Sequence, residues 1–136
     1  MILVDTPIWS LALRRKAHDL APQERRLIQL LRQLVAEGRA QLLGSVRQEL
    51  LSGLRDSAQF RRIRDYLRAF PDVEVTTADY EEAAHASNQC RTSGIAASPA
   101  DMLICAIALR NNWEILTPDR DFVRYATVLQ IDMWKE

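Results

Sequence analysis

Four carboxylates stand beside the predicted ends or starts of regular elements in this 136-residue chain: Asp5, Glu49, Asp101 and Asp119. Carboxylates that cluster repel one another and resist ionisation unless a cation neutralises them. Oxygen ligands of this kind suit Mg²⁺ or Mn²⁺. A metal ion held there could activate water and stabilise the charge that develops on a phosphoryl group. This chemistry requires a fold that brings the four side chains together.

Each carboxylate taken alone also has a structural explanation. Asp5 and Asp119 could cap the helices that follow them. Asp101 lies three residues after Ser98 and could complete a capping box, and Glu49 could be an exposed helix residue. The strongest single argument for a site comes from Asp101, because its neighbours on one helical face are apolar: Ile104, Cys105 and Ala108.

Three more polar residues lie next to these carboxylates in the sequence. Thr6 and Thr117 could hydrogen-bond the carboxylates or metal-bound water, and they could equally cap helices. Asp121 stands two residues after Asp119 and is an additional candidate ligand. All three are therefore supporting candidates for the same acidic site.

Short β-type runs alternate with longer helical patterns along the chain. The predicted strands are 2–4, 40–43, 73–75, 113–116 and 127–130, and the predicted helices are 6–15, 22–37, 45 to about 53, 60–70, 77 to about 93, 98–109 and 119–125. This alternation predicts an α/β fold with a mainly parallel central sheet and helices on both sides. Ligands of open α/β sheets bind beyond the carboxyl ends of the strands. The four carboxylates are expected to converge at that edge.

Two local signals predict helix starts with particular caps. Ser45 and Gln48 have the spacing of a capping box, and Thr77 precedes several acids that would favour the positive end of a helix dipole. Pro7 fits the first turn of the first helix, where a missing N–H is no loss.

Length and composition are those of an ordinary globular protein. Apolar residues make up 48% and charged residues 26%, so we expect one domain over 1–136. No apolar run is long enough to cross a bilayer and no leader pattern opens the chain, so a cytoplasmic protein is expected. Cys90 and Cys105 lack metal-binding spacing and could pair, but free thiols are the expectation. His18 and His85 lie far apart, which disfavours a zinc site.

The charges are unevenly distributed although the net charge is zero. Residues 14–68 hold 13 of the 18 basic and 6 of the 18 acidic residues, and 16 of the basic residues in the whole chain are arginine. For any single arginine a solvated helix face is the simpler explanation. The asymmetry as a whole points to a polyanion or an acidic partner, because arginine suits phosphates and carboxylates.

Four motifs in order give the chain a resemblance to a known family: ILVDTPIW, SVRQELLSGL, SPADMLICAIAL and LTPDRDF. The chain resembles PIN-domain ribonucleases, and among them the VapC-like toxins of toxin–antitoxin pairs. The resemblance implies a PIN fold and metal-dependent cleavage of RNA by water. The residues that match the family's acidic positions are Asp5, Glu49, Asp101 and Asp119. Asp121 matches a frequent extra acid and Thr117 a frequent polar position, whereas Pro7 replaces a small polar residue.

The resemblance also implies roles and partners. Asp5, Asp101 and Asp119 would bind Mg²⁺ or Mn²⁺, and Glu49 would orient a metal-bound water or belong to a second metal position. Such toxins are usually homodimers inhibited by a small DNA-binding antitoxin, whose C-terminal segment wraps the toxin and often inserts a basic side chain. The arginine-rich segment 22–70 could line an RNA groove or hold that antitoxin, and the sequence does not choose between them.

Three rival interpretations are weaker. A phosphoaspartyl phosphatase normally needs a second aspartate where Pro7 stands. A receiver domain needs adjacent acids early in the chain and a lysine near a late strand, and neither is present. A PIN-like RNA- or protein-binding module without catalytic activity is the remaining alternative, and the presence of all four acids argues against it.

Overall fold

The computed structural model describes residues 1–15 and 17–135. Its strands are β1 (Ile2–Val4), β2 (Ala40–Gln41), β3 (Glu114–Leu116) and β4 (Asp132–Met133). In the described ranges they form one sheet in the order β2-β1-β3-β4, and every pairing is parallel. In this register Ile2 lies opposite both Ala40 and Glu114. The predicted α/β fold with a parallel sheet is confirmed.

Helices flank the sheet and make the crossovers between its strands. They are α1 (Thr6–Arg14), α2 (Pro22–Ala36), α3 (Gly44–Leu51), α4 (Ser57–Leu67), α5 (Thr77–Thr92), α6 (Pro99–Asn111) and α7 (Asp121–Tyr125), with a 3₁₀ turn at Ala17–Asp19. Parallel crossovers are right-handed, and the chain reverses its direction across the sheet at β2. α1 packs against α2 and α3, and α5 packs against α6.

The central strand β1 is buried on both faces. Ile2, Leu3 and Val4 are at most 1% exposed, so the strand is continuously apolar rather than alternating, as expected in a parallel sheet. Trp9 of α1 is also fully buried, and its indole N–H donates to the Val4 carbonyl oxygen at 3.2 Å. Its ring meets Phe70 edge-on at 5.0 Å between centroids. This packing fixes the start of α1 over the carboxyl end of β1.

Two of the predicted strands are wrong. Segment 73–75 forms no strand, and its neighbourhood pairs only through one bridge between Leu42 and Asp72, in which the Val73 amide donates to the Leu42 carbonyl. Segment 127–130 is not a strand either, because the amides of Val128 and Leu129 bond back to the Tyr125 carbonyl as α7 ends. Those amides are not free to join a ladder, and the pairing strand is β4 a few residues later.

Several helix starts also differ from the prediction. α3 begins at Gly44 with Leu43 at the N-cap and no side-chain cap, so the predicted Ser45–Gln48 capping box does not form. α4 begins three residues before the predicted position, because the Asp56 side chain accepts from the Ala58 amide. The cap of α5 is Thr76 rather than Thr77, in a capping box with Asp79.

The two cysteines are free, as predicted. Cys90 on α5 and Cys105 on α6 are both buried in the core, and burial raises the pKa of each thiol. In the described part of the chain, no helix has both the length and the apolar character needed to cross a bilayer.

Candidate active site

The acidic site is built on the carboxyl ends of the two central strands. Asp5 directly follows β1, and its amide donates to the Leu116 carbonyl oxygen at the end of β3 at 3.0 Å. Asp119 stands three residues after Leu116. Asp101 lies in the first turn of α6, behind the N-cap residue Ser98, whose hydroxyl accepts from the Asp101 amide at 3.1 Å. The sheet register and a helix cap thus position these three acids.

Asp5 is a buried carboxylate with both oxygens hydrogen-bonded. It is 7% exposed, Oδ1 accepts from the Thr6 amide at 2.8 Å, and Oδ2 accepts from the Thr117 hydroxyl at 2.8 Å. Asp5 also caps α1, so the structural role suggested by the sequence is real. Burial raises the pKa of Asp5, the two hydrogen bonds oppose this effect, and the charges of Asp101 and Glu49 add to it. A nearby cation would relieve this cost of ionisation.

Asp101 is partly buried and receives a hydrogen bond that the sequence analysis missed. The Tyr125 hydroxyl, on α7, donates to Oδ2 of Asp101 at 2.7 Å, and Tyr125 is only 1% exposed. Burial raises the pKa of Asp101, and the charges of Asp119 and Asp121 raise it further. A tyrosine on the inner face of a short helix was the available signal, because a buried phenol needs a hydrogen-bond partner.

Asp101, Asp119 and Asp121 form a compact group of carboxylates. Each offers an oxygen, and these oxygens lie within 4.8 Å of one another, which is close enough for one ion. The Asp121 amide donates to Oδ1 of Asp119 at 2.9 Å, so the loop holds both acids on the same side. Arg124 forms an ion pair with Asp121. Asp121, only a secondary candidate in the sequence, therefore belongs to the same compact group as Asp101 and Asp119.

Thr117 connects this group to Asp5. Its hydroxyl donates to Asp5 and accepts from the Asp119 amide at 3.1 Å. On the other side of Asp5, the Thr6 hydroxyl donates to Oε2 of Glu49 at 2.9 Å. Of the two roles left open by the sequence for these threonines, the structure shows the carboxylate contact for both. Hydrogen bonds through Thr6 and Thr117, together with the compact carboxylate group, bring all five acids to one edge of the sheet. Glu49 is exposed and joins the others through Thr6.

The donor set fits a hard divalent cation. Every candidate ligand is a carboxylate oxygen, and Mg²⁺ and Mn²⁺ prefer such ligands. The raised pKa values of Asp5 and Asp101 both include repulsion from neighbouring acids. Among the described residues, Arg124 forms an ion pair with Asp121, and no ion pair involves the other four acids. The site therefore concentrates negative charge that a cation would balance.

The chain matches a family model and several solved structures. The model described as PIN domain matches residues 2–128. A search among curated protein sequences found no match. FitAcB from Neisseria gonorrhoeae is similar with a TM-score of 0.70 and 21% identity, over 99% of this chain and 97% of that chain.

Two further solved structures have the same fold. VapBC2 from Rickettsia felis, bound to a DNA fragment from its promoter, has a TM-score of 0.69 and 17% identity, over 99% of this chain and 100% of that chain. A toxin–antitoxin complex from Klebsiella pneumoniae has a TM-score of 0.63 and 17% identity, over 90% of each chain. The family model matches most of the sequence and these structures share its fold, so the chain belongs to the PIN-domain family.

Proposed function

We propose that this protein is a metal-dependent endoribonuclease and the toxin of a toxin–antitoxin pair. The observation that supports this proposal is the convergence of five linked carboxylates at the carboxyl edge of a PIN-domain sheet. PIN domains are generally nucleases, and one of the solved structures of similar fold is a toxin–antitoxin complex from Klebsiella pneumoniae. Hydrolysis of a phosphodiester bond is the reaction that best uses such a site.

Asp101, Asp119 and Asp121 are the residues that would hold the ion, with Asp5 joined to them through Thr117. The bound Mg²⁺ or Mn²⁺ would supply Lewis acidity and a well-oriented water. Asp5 is the most rigid of these acids, because it directly follows a buried strand and both its oxygens accept hydrogen bonds. Its role is to fix the geometry of the centre.

Glu49 is suited to a different task from the other acids. It is exposed on α3, and the Thr6 hydroxyl holds one of its two oxygens. The second oxygen remains available to orient a water molecule or accept its proton. We therefore propose that Glu49 positions the attacking water and is not a primary ligand of the metal ion.

The proposal includes two protein partners. A small antitoxin would inhibit the enzyme by placing a basic side chain among the five carboxylates, which lack enough cations of their own. VapBC2 of Rickettsia felis is bound to a DNA fragment from its promoter, and a DNA-binding antitoxin is proposed here by analogy. A homodimer is the expected state of the toxin itself.

RNA cleavage by the purified protein tests the proposed function. Wild type, Asp5→Asn and Asp101→Asn are compared with Mg²⁺ and with a chelator, and Asp132→Asn is the matched control because Asp132 is exposed on β4, outside the acidic centre. We expect cleavage by wild type and the control only, and only with metal. Equal cleavage of RNA by all four proteins, or cleavage in the presence of the chelator, would contradict the proposal. RNA binding without cleavage by wild type would indicate the inactive binding module.

A further inference from the structure

A groove opens beside the acidic centre, between α2 and the end of β3. Its volume is about 530 Å³, and it is lined by Gln23 and Arg26 of α2, by Thr117 and Pro118 after β3, and by Trp134. Thr117 also donates to Asp5, so the groove and the acidic centre share this residue. Pockets of roughly 300–1,000 Å³ are typical of small-molecule sites, so a nucleotide is a ligand of suitable size.

Arg26 supplies the positive charge of this groove. It is exposed in the second turn of α2 and makes no ion pair with any residue in 1–15 or 17–135. The preceding residue, Arg25, lines a separate groove with His18 and Arg32. An arginine without an ion-pair partner among the described residues is suited to bind an anionic ligand. Its guanidinium can donate two parallel hydrogen bonds to the oxygens of a phosphate.

The rest of the lining suits the base and sugar that accompany a phosphate. Leu27, Leu30 and Trp134 contribute apolar and aromatic surface, and Gln23 contributes an amide. The Trp134 amide donates to the Ile115 carbonyl oxygen at 2.9 Å, which fixes this residue at the same sheet edge as the acids. Proteins that bind single-stranded RNA place unstacked bases against such surfaces.

We propose that this groove is a nucleotide subsite for the RNA strand, in which Arg26 contacts a phosphate next to the cleaved bond. The inference rests on the proposed function and extends it to a strand path along α2. RNA fits the charges better than an inhibitory protein segment does. A basic protein segment lying in this groove would be repelled by Arg26. An RNA strand instead offers one phosphate to the metal centre and another to Arg26.

The test is RNA affinity in an Asp101→Asn background, which is used so that the RNA stays intact. The probe is a short fluorescein-labelled single-stranded RNA of mixed sequence, followed by fluorescence anisotropy at several salt concentrations. Arg26→Gln is expected to weaken binding about tenfold, the size of a lost charged hydrogen bond. The slope of log affinity against log salt should fall by about 0.7, the value for one phosphate of a single strand.

Arg25→Gln is the matched control, because this substitution removes the same charge from the adjacent position of the same helix. Arg25 lines the other groove, with His18 and Arg32. Its affinity for RNA should stay within about twofold of the background. Arg26→Lys should restore part of the affinity, and Mn²⁺ binding, measured by electron paramagnetic resonance in the otherwise wild-type chain, should be unchanged by Arg26→Gln.

Equal weakening by the two glutamine variants, or no weakening by Arg26→Gln, would overturn the subsite. The second of these results would assign the groove to an occupant other than RNA. The proposed function fails separately: wild type would then not cleave RNA with Mg²⁺, whatever the two arginine variants show.

Discussion

Tyr125 gives the acidic centre a contact from the buried face of α7, which it shares with Phe122. Its ring lies edge-on to Phe122 at 5.1 Å between centroids, and its hydroxyl reaches Oδ2 of Asp101. The hydrogen bond favours the ionised form of Asp101 and limits the directions in which this carboxylate can point. Tyr125 is thus a positioning residue, because it acts on the site through Asp101.

Replacing Tyr125 by phenylalanine should impair the site without damaging the core. Tyr125→Phe keeps the ring packing and removes one hydrogen bond, so the pKa of Asp101 should rise further and protons should compete better with the metal. We expect Mn²⁺ affinity near pH 7 to fall about three- to tenfold, the effect of losing one bond to a charged group. Mn²⁺ titration followed by electron paramagnetic resonance measures this change.

The control is Tyr66→Phe, which removes the hydroxyl of an exposed tyrosine on α4. Its Mn²⁺ affinity should equal that of wild type. A wild-type Mn²⁺ affinity in Tyr125→Phe would show that the bond to Asp101 does not position it for metal binding.

The sequence predicted the acids well and their contacts less well. Asp5 and Asp119 were identifiable because strand ends in a parallel sheet meet at one edge, and Asp101 because Ser98-Pro99 marks a helix start. A partner for the Tyr125 hydroxyl could be expected, but its identity as Asp101 could not, because it depends on how α7 lies relative to α6. The closeness of Asp121 to Asp101 likewise depends on the turn between β3 and α7, which residue types alone do not specify.

At the scale of elements, the pair α5 and α6 is joined by an ion pair that lies apart from the acidic centre. Asp79 is 1% exposed, and Arg110 donates to both of its oxygens, at 2.6 and 2.9 Å. Burial opposes the ionisation of Asp79, but hydrogen bonds from Arg110 and then from Thr76 outweigh it and lower the pKa of Asp79. Removing Arg110 would leave a buried carboxylate without its partner.

Arg110→Ala should therefore destabilise the fold. Arg110 is 39% exposed, and solvent screens part of the interaction, so we expect a loss of about 2 kcal/mol rather than the larger values of fully buried pairs. The depressed pKa of Asp79 stabilises the wild-type fold above its unfolded pKa, near 4, and this contribution is lost as the pH falls through the folded pKa. The difference between the two proteins should therefore shrink in acid.

Urea unfolding at neutral and acidic pH measures both effects. Arg91→Ala is the control, because Arg91 is exposed on α5 and donates only to Asn88 of its own helix. Its free energy of unfolding should change by less than about 0.5 kcal/mol. The interpretation would be wrong if Arg110→Ala were no less stable than Arg91→Ala at neutral pH.

The edge strands show why element boundaries were harder to predict than the order of elements. β2 and β4 have two residues each, so pairing rather than intrinsic preference decides where they lie. Segment 127–130 has suitable β-branched and apolar residues, yet it closes the end of α7. Segment 73–75 reaches the sheet only through the bridge next to it. Tertiary context overrides local preference in both cases.

For the whole molecule, the charge along the sequence is divided between the proposed RNA groove and most of the acidic centre. The basic excess lies in 14–68, which includes α2 beside the proposed RNA groove, and the acids of the centre except Glu49 lie outside that segment. The parallel sheet also brings distant parts of the acidic centre together, since Asp5 and Thr117 are 112 residues apart and are joined by a hydrogen bond. The fold class could be predicted from the alternation of strands and helices. The groove could not be predicted, because it depends on where α2 lies relative to the end of β3.

Metal binding should stabilise the whole fold, because an ion that binds only the folded state raises the free energy of unfolding. At a metal concentration of about one hundred times the dissociation constant, the gain is about 2.7 kcal/mol. Thermal unfolding with Mn²⁺ and with a chelator measures it. The gain should be reduced in both Asp119→Asn and Asp121→Asn, because both residues belong to the compact group of oxygens. Asp132→Asn should keep the full gain, and a wild-type gain in Asp119→Asn would remove Asp119 from the ligand set.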